Sequence, residues 1–157
     1  MSIWDYREIQ EHRAAFLAAL RPGDFTQGYG NLTSILDGIE QDCCLGVACK
    51  VSMRDNGVTR EAYAPLLDGS PFKYGKIGSG FDWSTGVLPA EVCDWLGINE
   101  SNPTLVPQHR PPSGEVKEDE GRFYSIDATE ANDDLKLTFD QIADLFQFYF
   151  ARVGVIR

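Results

Sequence analysis

Three of the four cysteines lie close together, in the segment DCCLGVACK. Cys43 and Cys44 are adjacent, and Cys49 follows five positions after Cys44. A cysteine at a helix N-terminus faces free amide groups and the positive end of the helix dipole, which favour the thiolate form. If His109 acts as a base, Cys43 or Cys44 becomes the nucleophile of a thiol hydrolase. This arrangement is the alternative in which the chain is an enzyme.

The same cysteines do not have the spacing of a metal site. Zinc sites use pairs such as Cys-x-x-Cys, which turn two thiolates toward one ion. On a helix, Cys43, Cys44 and Cys49 point in three directions, and the two histidines, His12 and His109, are distant in sequence. We therefore predict no metal and no cofactor. Because cysteine is among the most often buried residue types, core packing is the simplest interpretation, and no residue is assigned as catalytic.

A glycine-rich loop before the cysteines, RPGDFTQGYGNL, is the better candidate for function. Glycines on both sides of Tyr29 expose backbone amides and allow unusual φ angles, while the tyrosine offers a ring for stacking. Gln27 carries a donor and an acceptor, and Arg21 a charge at a helix end. The alternative is a hairpin or a tight packing turn, since Gly-x-Gly alone is a weak signal. The predicted ligand-binding residues are Arg21, Gln27, Gly28, Tyr29, Gly30, Asn132 and Asp133.

The elements that would position these residues follow from hydrophobic periodicity and end signals. Residues 3–20 have the spacing of an amphipathic helix, which Pro22 and Gly23 end. A short strand is predicted within 31–36, a buried helix over 43–54 with Asp42 as its N-cap, and short strands and turns over 59–86. LPAEVCDWLGI is predicted to be a further helix.

The last third of the chain gives the clearest pattern. The segment 99–121 is rich in proline and charge and is predicted to be a flexible loop. RFYSIDA follows as a short strand. A helix over 138–153 should begin with a capping box between Thr138 and Gln141. The chain is thus predicted to be a single compact α+β domain over 1–157, with three to four helices and a small antiparallel sheet.

Charge and hydropathy restrict the partners. The formal net charge is −10, which disfavours nucleic acid and anionic membranes. No segment approaches 18 consecutive apolar residues, and the charged N-terminus is unlike a signal peptide, so a cytoplasmic location is expected. LTFDQIADLF is similar to the first helix of helix-turn-helix proteins, but no basic recognition helix follows it.

Taken in order, the blocks AALRPGDF, TQGYGNL, CCLGVACKV, LPAEVCDWLGI and ANDDLKLTFDQIADLF carry a resemblance. They resemble a widespread family of small uncharacterised bacteriophage proteins, over nearly the whole chain. The departures from the family pattern are Pro22, Phe25, Ala48 and Ala131. The resemblance implies a phage accessory protein in the host cell cytosol and implies no mechanism.

Three hypotheses remain open. The first is a non-catalytic binding protein that sequesters a small nucleotide-like ligand in host counter-defence. The second is an acidic inhibitor that docks on a host protein. The third is the cysteine-dependent hydrolase. Homo-oligomerisation is compatible with each of them.

Overall fold

The computed structural model describes residues 3–62, 72–109 and 124–155. The α-helices are α1 (Tyr6–Leu20), α2 (Cys44–Ser52), α3 (Ala90–Leu96) and α4 (Phe139–Val153). A π-helical turn occupies Glu130–Asp134. The strands are β1 (Thr33–Leu36), β2 (Ile39–Asp42), β3 (Thr59–Ala62), β4 (Phe72–Gly75), β5 (Thr104–His109) and β6 (Tyr124–Asp127). The predicted α+β class is confirmed.

The strands of the described residues pair as three two-stranded antiparallel sheets, β1–β2, β3–β4 and β5–β6, where the sequence predicts one small sheet. In β1–β2 the register pairs Thr33 with Asp42 and Leu36 with Ile39. Asp37 and Gly38 form the two-residue turn, and both have positive φ angles, 52° and 76°. Positive φ at both positions is the mark of a type I′ turn, which matches the twist of a tight hairpin.

The helices α1 and α3 pack against α2, which is the most deeply buried helix. Its residues from Cys44 to Cys49 are all buried. A Cβ at position 46 would overlap the carbonyl oxygen of Leu32, so Gly46 allows the chain before β1 to lie directly against the helix. The predicted N-cap of α2 is wrong: Cys43, not Asp42, is the cap, and its thiol accepts a hydrogen bond from Gly46 N.

The apolar face of α4 forms another wall of the core. Phe146 is fully buried, and its ring meets those of Phe16 and Phe150 at 4.9 Å and 5.6 Å between centroids. The predicted capping box is confirmed, since Thr138 and Gln141 bond each other's backbone amides. Phe148, in contrast, points outward and is 73% exposed.

A buried arginine joins three of the helices. The Arg13 side chain from α1 donates to the carbonyl oxygens of Leu96 (2.8 Å), Gly97 (3.2 Å) and Gly154 (2.6 Å). These carbonyls lie at the C-terminal ends of α3 and α4, where the helix dipole is negative. Burial lowers the pKa of Arg13, but an arginine stays protonated, so the carbonyls compensate its charge. We call this arrangement the Arg13 clamp.

The structure also revises the predicted loop over 99–121. Residues 104–109 form β5 and pair with β6, and His109 is the last residue of that strand. The prediction that His109 lies in a loop is therefore wrong. Residues 110–121 of the predicted loop lie outside the described residues.

Candidate functional site

The glycine-rich loop is attached to β2 by its backbone. Gly28 N donates to Asp42 O, and Asp42 N donates to Thr26 O, both at 2.8 Å. Gly28 has no positive φ, unlike Gly30 at 89°. What requires glycine at 28 is space, because a Cβ there would lie 2.7 Å from the Cβ of Gln41. The loop is held against the hairpin as an added edge.

Asn132 joins this loop to the π-helical turn. Its Oδ1 accepts from Gln27 Nε2 (3.0 Å) and from Cys44 N (3.2 Å). Its Nδ2 donates to Gly28 O (2.9 Å) and to Asp133 Oδ1 (2.8 Å). The side chain is fully buried, and both its donors are used within the protein.

Gln27 is satisfied in the same way. Its amide nitrogen donates both to Asn132 Oδ1 and to Leu137 O, the latter at 2.8 Å. The structure therefore brings Gln27, Gly28, Asn132 and Asp133 together, as expected of a site. Their bonds to one another leave little capacity for a ligand, and the arrangement can serve as a clip that fixes the loop.

Tyr29 and Arg21 lie apart from this clip. The ring of Tyr29 is 44% exposed, and the ammonium group of Lys136 stands 4.0 Å from its centroid. The guanidinium of Arg21 donates to Asp144 on α4 at 2.8 Å and lies 3.9 Å from Asp140. The positive charges near the loop already have partners, an aromatic ring in one case and carboxylates in the other.

The cysteines are free and buried. Burial raises the pKa of Cys43 to about 12, although its thiol caps α2, and raises the pKa of Cys44 well above its ordinary value. Desolvation thus outweighs the helix terminus, and both thiols are neutral at pH 7. Within residues 3–62, 72–109 and 124–155, no group of three or more His, Cys, Asp or Glu is placed to hold a metal ion.

A buried polar network that the sequence analysis missed anchors the base of the β1–β2 hairpin. Thr33 Oγ1 donates to Asp42 Oδ1 at 2.6 Å and lies 2.6 Å from the Tyr74 hydroxyl. Lys50 Nζ donates to Asp42 Oδ2 at 2.7 Å. Burial raises the pKa of Asp42 despite the bonds from Lys50 and Thr33, and raises that of Tyr74 to about 12. Since Asp42 and Tyr74 are almost inaccessible, this network can position a strand but cannot reach a substrate.

The network continues toward the surface through Glu40. Its carboxylate bonds Lys50 and accepts from Arg60 Nη1 at 2.7 Å. Burial alone would raise the pKa of Glu40, but the hydrogen bonds from these two cations outweigh it and hold the pKa below its ordinary value. Strand β2 is therefore fixed to α2 and β3 by charged pairs.

The tip of this hairpin has the opposite character. Ile35, Leu36 and Ile39 are 50%, 59% and 55% exposed, and they surround the turn at Asp37 and Gly38. Leu36 and Ile39 are paired and share one face, while Ile35 lies on the other face beside Glu40. A rigid polar base thus carries a tip that is apolar on both faces. The sequence signal for this tip is the Asp-Gly pair in SILDGIEQ, which has Ile35 and Leu36 before it and Ile39 after it.

Comparison of the chain with known protein families gives a match. The model of DUF8296, described as a domain of unknown function, matches residues 8–150. No curated protein and no solved structure matches the chain. Among the described residues, no helix is long and apolar enough to cross a membrane.

Proposed function

Because the chain belongs to the DUF8296 family, whose description assigns no activity, we propose a function from the geometry of this chain. In this proposal the protein is a non-catalytic protein-binding module that inserts the tip of the β1–β2 hairpin into an apolar groove of a partner. The resemblance to bacteriophage proteins makes the proposed partner a host protein in the host cytosol, consistent with an accessory role in counter-defence.

The exposed apolar tip is the observation that carries this proposal. Contiguous apolar surface on a water-soluble domain is a common mark of a protein contact. Leu36 and Ile39 are paired neighbours and make up such a surface outside the core, and Ile35 adds an exposed apolar side chain on the other face. They do little for the fold itself, since about half of each side chain remains in water.

The anchored base gives the tip an advantage in binding. The start of β1 and the end of β2 are fixed inside the protein by the hydrogen bonds among Thr33, Asp42 and Tyr74. The type I′ turn fixes the opposite end of the hairpin. A preorganised binding element loses little conformational entropy when it associates. Asp37 at the turn and the net charge of −10 favour a groove with a basic rim.

The nucleotide-like ligand has weaker support from the geometry. Gln27 and Asn132, which were to supply the hydrogen bonds, use their amide donors within the protein. Tyr29 keeps an exposed ring, but Lys136 already covers part of it. The thiol hydrolase is less favoured still, because the pKa of Cys43 is raised and its side chain is buried.

A matched pair of isoleucine substitutions tests the proposal. Ile39→Ser changes the tip, whereas Ile3→Ser changes a residue that is 77% exposed before α1. Purified wild-type protein and both variants are immobilised, exposed to a bacterial host lysate, and the captured proteins are quantified by mass spectrometry. We expect at least one host protein that wild type and Ile3→Ser retain and Ile39→Ser loses by about tenfold or more.

The outcomes separate the candidate functions. Equal capture by all three proteins, or no specific capture by any, contradicts the hairpin proposal. A thermal-shift series with nucleotides addresses the alternative. A nucleotide that raises the melting temperature of wild type and Ile39→Ser equally would favour the small-molecule function instead.

A further inference from the structure

The outer surface of α1 and α4 forms a second feature, independent of the hairpin. A groove of about 380 Å³ runs between the two helices. Its walls include Gln10, Ala14 and Leu17 from α1 and Gln147, Phe150 and Ala151 from α4. We call this surface the α1–α4 face. None of the hairpin residues lines it.

The α1–α4 face carries almost no charge at its centre. Its exposed residues there are alanine, glutamine and aromatic residues, and the Arg13 side chain beneath them is buried in its clamp. The carboxylates at its margin are paired, Glu11 with Arg7 and Asp144 with Arg21. Charge depletion at the centre with aromatic residues present is the composition of an interface core.

The face also has a protrusion beside its groove. Phe148 is 73% exposed and borders a second recess, whose other walls are Gln147 and Ala151, which also line the groove, and Asp144, which is paired with Arg21. A two-fold symmetric interface requires one surface that carries both a knob and a matching recess. The small side chains of Ala14 and Ala151 allow helices of two molecules to approach closely.

We propose that a second copy of this chain packs on the α1–α4 face, as a two-fold symmetric dimer in which the Phe148 ring of each copy enters the groove of the other. The charge of the protein is the reason for proposing a second copy as the partner. A basic partner is attracted to acidic surface, not to a neutral strip. A second copy carries the same net charge of −10, so its interface must avoid charged groups.

The salt dependence of association gives the first test. Sedimentation equilibrium of the full chain, at several protein concentrations, should show a species of twice the mass of one chain. The dimer should strengthen between about 0.05 M and about 0.5 M salt, because screening weakens the repulsion between two acidic copies. A monomer at all concentrations overturns the proposal. Weakening by salt also overturns it, since that result indicates attraction between charges.

Two alanine substitutions give the second test. Ala14→Glu places like charges across the two-fold axis and should raise the dimer dissociation constant by about tenfold or more. Ala90→Glu adds the same charge at an exposed position of α3 and should leave the constant unchanged. If circular dichroism shows that Ala14→Glu is unfolded, Phe148→Ala replaces it, with the same expected direction. A folded Ala14→Glu protein that dimerises like wild type, or equal weakening by Ala90→Glu, refutes the interface.

Discussion

Replacing Asn132 by alanine tests whether the glycine-rich loop is held by a structural clip. In the folded protein, Cys44 N and Gly28 O both bond the Asn132 side chain, and all three groups lie in the interior or beside it. Alanine removes the amide but leaves these two backbone groups where they are. Gln27 keeps its second acceptor, Leu137 O, and is expected to tolerate the change.

The magnitude follows from the two backbone groups that lose a partner. A buried donor or acceptor left unsatisfied costs about 1 to 3 kcal/mol. With two such groups, Asn132→Ala should lower the free energy of unfolding by about 2 to 6 kcal/mol, a large part of the stability of an ordinary domain. Asn132→Asp should cost at least as much, since it would put a carboxylate oxygen against Gly28 O and Asp133 Oδ1.

Urea denaturation followed by circular dichroism measures this change. Asn99→Ala is the matched control, because Asn99 is exposed; its urea midpoint should stay close to that of wild type. A loss below about 0.5 kcal/mol for Asn132→Ala would refute the clip. If that stable variant also lost binding to a partner or ligand, Asn132 would belong to a binding site instead.

Three further predictions concern the core and its ionisable groups. Phe146→Ala should lower the free energy of unfolding by about 3 to 5 kcal/mol, because a fully buried ring is removed; an unchanged melting temperature would place the ring outside the core. Thiol reagents at neutral pH should label native protein only slowly, and a rapid phase mapped to Cys43 would revive the hydrolase hypothesis. Burial raises the pKa of Cys43 and Tyr74 to about 12, so unfolding lets both ionise more readily. The free energy of unfolding should therefore hold below pH about 9 and fall from there to pH about 12. Urea titrations at a series of pH values measure this free energy. Tyr74→Phe should make its fall with pH less steep, and a wild-type free energy of unfolding that does not change with pH would contradict this reasoning.

Local sequence signals predicted the helices well. The capping box of α4 involves Thr138 and Gln141, three positions apart, and the apolar period of 3.6 residues defined its buried face. Such information lies within one or two turns of chain, so a single sequence contains it. The same reasoning placed α1, α2 and α3 within a few residues of their bounds.

The N-cap of α2 shows where local reasoning fails. Aspartate is a common N-cap, but the Asp42 carboxylate is bonded by Thr33 and Lys50 and is not available to α2. The thiol of Cys43 takes its place. The choice depends on a strand nine positions earlier and a helical residue eight positions later, whose approach the sequence does not show.

The hairpin tip could have been predicted, whereas its anchor could not. Asp37 and Gly38 between short apolar stretches are a strong hairpin signal, but the sequence analysis predicted only a single short strand within 31–36. The contact of Thr33 with Tyr74 spans 41 positions of chain. Asn132 likewise meets Gly28 across 104 positions. Pairings of this kind depend on tertiary packing and leave no periodic pattern.

The Arg13 clamp has a consequence for how the protein opens. Amides in the last turns of α3 and α4 can exchange with solvent deuterium only when their helix ends loosen. Loosening either end would leave the guanidinium of Arg13 buried with fewer acceptors, which is costly. An opening in which α1, α3 and α4 separate together, as one cooperative unit, has the lower free energy. Slow and nearly equal exchange at the ends of helices that are more than fifty residues apart in sequence would be the signature of that unit.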